Sequence, residues 1–219
     1  MSQLAGRIQF TGNLRTLEAD AIRLGSLVLE MVVFSTRIAI EDNDRLTSKV
    51  MAWEEEVDEV ERDLVRRVIV TLAAEGNATE DLLLLTATLF MVNELEKIAD
   101  EATKLASRVV KLHGEFPYEM KDLLHDMSKL AQGNLQDSLR LYSQYSHAAA
   151  LEIIARDDDV DRAFKTSRNI LLTKIQDDPS NTRQWLRCLE IFHALEHVSD
   201  RAADIARRLQ NCYEPFVKV

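Results

Sequence analysis

The sequence predicts an all-α protein built as two tandem three-helix bundles, and three observations lead there. Apolar residues recur every three or four positions through six long stretches. No stretch has the clean period of two, flanked by hairpin residues, that a sheet needs. The pattern of helices and breaks then runs through twice, with letters matching at an offset of about 100 residues.

In the first stretch Leu14, Leu17, Ala21, Leu24, Val28, Met31 and Ile38 form one stripe, with a gap at Ser35, ending near EDND at 41–44. Leu46, Val50, Trp53, Val57, Val60, Leu64 and Val68 mark a second helix, which runs to AAEGN, where Gly76 and Asn77 are suited to terminate it. A third covers roughly 79–112 and stops at HGEFP. Long helices with short joints pack as antiparallel neighbours. The second half reads as helices over 119–142, 144–177 and 181–211, with DDPSN breaking the chain as AEGN did earlier. Residues 89–106 and 189–206 align without a gap, pairing Leu89/Leu189, Leu95/Leu195, Glu96/Glu196, Asp100/Asp200, Ala102/Ala202 and Ala106/Ala206. EEEVDEVERDL at 54–64 likewise resembles DDDVDRAFKTS at 157–167. The expected domains are 1–115 and 116–219, joined near LHGEFPYE.

Composition narrows the function. A net charge of -10 argues against a broad nucleic-acid surface and against binding to anionic lipid. Cys188 and Cys212 make no CxxC pair or disulfide framework, which fits a reducing compartment. MSQLAGRIQF lacks the apolar core of a signal peptide, and the longest apolar stretch, DLLLLTATLFMVNELEKI, is bounded by acids and reads as a buried helix. A soluble cytoplasmic protein is the expectation.

The chemistry lies in carboxylates at helical spacing. Glu196 and Asp200 continue the row of Trp185, Leu189 and Phe192, and Glu96 and Asp100 continue that of Leu85, Leu89 and Val92. An apolar row ending in acids needs partners, protons, metal or an opening to water. Glu54, Asp58 and Glu61 on the second helix, and Asp157 and Asp161 on the fifth, repeat the spacing. Two such helices face to face present four carboxylates to one point, a donor set for hard or borderline cations. The plain alternative is a solvated face, with Arg37, Lys49, Arg62 or Arg66 satisfying some of the acids. Redox or hydrolytic catalysis of the di-metal type has little support, because the Glu-x-x-His motif it needs on each of two helices is not present: the spacing occurs once, at Glu190 and His193. His193 and His197 flank Glu196 without HExxH order, and His197 is expected to point about 100° away from its neighbour. No Gly-rich phosphate loop exists, and Cys188 sits in an apolar helix.

LGSLVLEMV at 24–32, EEEVDEVERDL at 54–64, and the paired NELEKIAD and HALEHVSD resemble the PhoU family over about 14–210. That resemblance implies two three-helix bundles and a non-enzymatic cytoplasmic regulator that restrains a phosphate ABC transporter and a phosphate-sensing histidine kinase. It further implies contact with membrane proteins rather than insertion in the membrane, and no nucleic-acid partner. The alternatives are a carboxylate-bundle metal enzyme or a helical scaffold serving another transporter. It also implies multinuclear iron or zinc clusters: Glu54, Asp58, Glu96 and Asp100 at one site, and Asp157, Asp161, Glu196 and Asp200 at another. The family pattern ERIGDxAxxI reads EKIADEATKL and EHVSDRAADI here, so Ala99 and Ser199 replace its glycine. Asp204 extends the acidic row in the second half, where Lys104 stands in the first. The second site is therefore expected to hold metal better. A homodimer is expected from the elongated faces of long bundles.

Overall fold

The computed structural model describes residues 2–73, 78–112 and 116–217, and side chains over 10–73, 78–112 and 116–214. Among the described residues six α-helices follow in order: α1 Ser2–Glu41, α2 Arg45–Leu72, α3 Thr79–Val110, α4 Tyr118–Ser143, α5 His147–Asp177 and α6 Thr182–Val217, with a 3-10 turn over Pro179–Asn181 before α6. No strand occurs among the described residues. The expected terminators Gly76 and Asn77, and the break at 113–115, lie outside the described residues.

The helix ends correct the sequence reading where polar residues define them. α1 starts at Ser2 rather than at 14 and α6 continues to Val217 rather than 211, because apolar spacing marks only the turns that neighbours cover. α5 starts at His147 rather than 144, since Ser146 caps it by accepting from the Ala149 amide. At α3 the Ala78 amide donates to the Asp81 carboxylate. The apparent gap at Ser35 is fully buried; its hydroxyl donates to the Val32 carbonyl and needs no other partner.

α1, α2 and α3 pack on one another as one three-helix bundle, and α4, α5 and α6 as the second. α3 lies along α6, and α1 along α4, so the bundles meet over two pairs of helices. One continuous core runs through both halves, with Met31, Leu85 and Leu95 in the first and Met120, Leu124 and Phe192 in the second. Gly25 lets α1 approach α4: a Cβ there would run into the Leu139 side chain. The Thr88 and Tyr142 hydroxyls share a 2.7 Å hydrogen bond between α3 and α4. The Ser138 hydroxyl donates to the Ala202 carbonyl at 2.7 Å, tying α4 to α6.

Candidate metal centre

The third and sixth helices carry the same burial pattern, position by position, over 91–100 and 191–200. Glu96 and Asp100 thus hold the same place beside α2 as Glu196 and Asp200 hold beside α5, half-buried at the end of an apolar row. Letters that match across the repeat also match in surroundings.

In the second half the acids crowd. Asp161 on α5 and Glu196 and Asp200 on α6 have ligand oxygens within 4.8 Å of one another. Burial, then Asp200, Asp161 and Asp157, push the Glu196 carboxyl up to about 7. Burial, followed by Asp157 and Asp161, also raises Asp200. Glu196 Oε2 is out of solvent and has no hydrogen-bond partner. A triad of carboxylates with an orphaned oxygen fits a cation, which would favour the ionised forms and replace the missing partner.

Asp157 stands beside the triad but is engaged elsewhere. The Ser199 hydroxyl donates to Asp157 Oδ1 at 2.8 Å, and Arg207 reaches Asp157 Oδ2 at 3.4 Å. Burial raises Asp157 against both of those contacts. Asp204 turns to Arg207 at 2.8 Å. Ser199, which takes the place of the family glycine, also accepts from Asn134 Nδ2 at 2.9 Å, so its hydroxyl aims Asp157 from a buried position.

The first half is looser. Burial, then Asp58 and Asp100, raise Glu54; burial, then Asp100, Asp58 and Glu61, raise Glu96. The four acids therefore face a common space across α2 and α3. They do not close to the second half's spacing among the described residues. Lys104 lies 2.8 Å from Glu101 and 3.7 Å from Asp100, so it pairs mainly outside the quartet. The cations weighed as partners for the acids go elsewhere. Arg37 binds Glu41, Arg66 binds Asp63, Arg62 donates to the Asp58 carbonyl, and Lys49 lies over the Phe34 and Trp53 rings.

One expectation is overturned. His197 does not point away from Glu196: His193, Glu196 and His197 bring their ligand atoms within 4.8 Å of one another. The long glutamate arm reaches between the two imidazoles, whose centroids lie 4.0 Å apart. The HxxxH spacing was visible in the sequence; the reach of Glu196 and the presence of Glu101 across the α3–α6 seam were not. Burial pushes the Cys188 thiol up to about 12, so it stays a thiol and is no nucleophile.

Comparison with known proteins adds ancestry to this geometry. A family model described as the PhoU domain matches twice, over residues 21–109 and 124–209. A phosphate-specific transport system accessory protein PhoU homolog of Pseudomonas putida is 28% identical over 200 residues, covering 90% of this chain and 78% of that protein. A protein of the same name from Clostridium acetobutylicum is 27% identical over 198 residues, covering 90% of each. The crystal structure of PhoU from Pseudomonas aeruginosa superimposes with a TM-score of 0.89 at 25% identity, covering 94% of this chain and 99% of that one.

Proposed function

From the premise that this chain belongs to the PhoU family, shown by a domain match in each half, we propose that it is an accessory regulator of phosphate uptake. In this reading it restrains a phosphate ABC transporter and its phosphate-sensing histidine kinase, and acts as an adaptor rather than as an enzyme. The observation that carries it is the double match, whose two spans include all nine acids of the proposed sites. Its relatives from Pseudomonas putida and Clostridium acetobutylicum bear the name of phosphate-specific transport accessory proteins. No helix among the described residues is long and apolar enough to cross a membrane, which suits peripheral contact with membrane proteins from the cytoplasm. Residues 1–115 and 116–219 are taken as two copies of one unit, and the protein as a homodimer.

We assign Glu54, Asp58, Glu96 and Asp100 to one multinuclear iron or zinc site, and Asp157, Asp161, Glu196, Asp200 and Asp204 to the other. Asp161, Glu196 and Asp200 would hold the ion most directly, with Asp157 aimed by Ser199 beside them. The metal supplies positive charge that relieves repulsion among the acids; the chain supplies a fixed α5–α6 junction.

Deleting the gene should leave phosphate-starvation promoters active in phosphate-rich medium, and a reporter that stays repressed would overturn the regulatory assignment. Elemental analysis after identical metal loading tests the sites: Asp161→Ala with Asp200→Ala should remove more iron or zinc than Asp58→Ala with Asp100→Ala.

A further inference from the structure

We propose that His193, His197 and Glu196 form a separate site for a borderline divalent transition metal of the zinc class, at the seam where α6 meets α3. The two imidazoles stand one helical turn apart on α6. Each presents its Nε2 to the same oxygen: His193 Nε2 and His197 Nε2 both lie 3.7 Å from Glu196 Oε2. That is too long for hydrogen bonding, and this oxygen is the buried one without a partner. A tetrahedral zinc ion, with ligands at about 2.1 Å, sets its donors roughly 3.4 Å apart, so small side-chain rotations close the site.

The surroundings orient both rings. Phe164 stacks on His193 at 5.4 Å with planes 23° apart. On the far side of His197, Glu101 of α3 places Oε2 3.6 Å from Nδ1. A small turn of the ring would bring Nδ1 into hydrogen-bond reach of this carboxylate, which would keep the proton there and leave the Nε2 lone pair for the metal, the arrangement that raises a histidine's strength as a ligand. Glu101 is in turn held by Lys104 at 2.8 Å. The rings are partly exposed and the carboxylates mostly covered, which leaves the ion an open approach and a vacant position for water. Two nitrogens and one oxygen select zinc, nickel, cobalt or copper over magnesium or calcium.

The first half supplies an internal control. At the repeat offset His193 and His197 correspond to Asn93 and Lys97, in matching burial, and Lys97 pairs with Glu94 at 3.0 Å. The site belongs to the second half alone. It shares Glu196 with the carboxylate triad but does not rest on the triad's being occupied.

The test is zinc titration of the full-length, metal-stripped protein, 15N-labelled at histidine. The Nε2 resonances of His193 and His197 should shift together as zinc is added, while those of His113, His125 and His147 stay in place. Changing His193→Asn with His197→Lys, the first-half residues, should weaken zinc binding at this site by at least ~10-fold, and Glu101→Gln by about 10-fold. Asp161→Ala with Asp200→Ala should leave the imidazole shifts in place, so failure of the carboxylate site is read separately. Imidazole resonances unmoved by zinc, or unchanged affinity in the histidine double variant, would overturn the proposal.

Discussion

Glu196 sets how the metal-free protein answers to pH. Its carboxyl, near 4.5 when solvated, is pushed up to about 7 by burial and by Asp200, Asp161 and Asp157. Between those values the folded chain binds a proton that the unfolded chain has released. The stability from this group is therefore complete below the unfolded value and is lost as pH rises through the folded one. His193, held low by burial and by His197, acts in the opposite sense. The reading is thus a comparison: the thermal midpoint of wild type minus that of Glu196→Gln should fall from about pH 5 to about pH 8. Parallel curves would show that Glu196 does not titrate in this window. Ser199 is the other decisive residue. Ser199→Ala strands Asp157 Oδ1 and Asn134 Nδ2 in the core and should cost about 1–3 kcal/mol by urea denaturation. The sequence displayed Ser199 as a departure from glycine, but its role needs Asn134 and Asp157, which are distant in the chain.

Among elements, the α3–α6 contact carries an ionic core that no motif announced. Glu94 is buried, with Lys97 at 3.0 Å, Arg201 at 3.1 Å and Arg208 at 3.7 Å. Its repeat partner is Ala194, so this cluster is absent from the matching letters. Glu94→Ala leaves Arg201 and Arg208 without their shared anion; because both guanidinium groups reach solvent, it should lower stability by about 1 kcal/mol in chemical denaturation. Glu94→Leu should cost less, since a packed apolar side chain restores volume; equal losses would mean the ion pairs matter beyond packing. The helices were legible because each buries a stripe: Val50, Val57, Leu64 and Val68 of α2 all face inward as their spacing requires. Each acid was legible on its helix for the same reason. That Asp161, Glu196 and Asp200 converge while Asp157 and Asp204 turn to Arg207 depends on how α5 and α6 are rotated, which periodicity does not encode.

At the scale of the whole molecule, the continuous core and the paired contacts α1–α4 and α3–α6 couple the halves. Scanning calorimetry of the metal-free protein should show one transition, with equal calorimetric and van't Hoff enthalpies. Two resolved transitions would show that the halves melt independently. The same contact has a consequence during synthesis. α3 leaves the ribosome well before α6, about 70–140 residues later in the chain; at roughly 5–20 residues per second the face it reserves for α6 stays bare for on the order of 10 seconds. Phe90, which lies under Arg208 in the finished fold, and the Glu94 carboxylate, with Lys97 of its own helix but neither arginine of α6, are uncovered for that interval. The nascent first half is thus the stage at which a chaperone has something to hold.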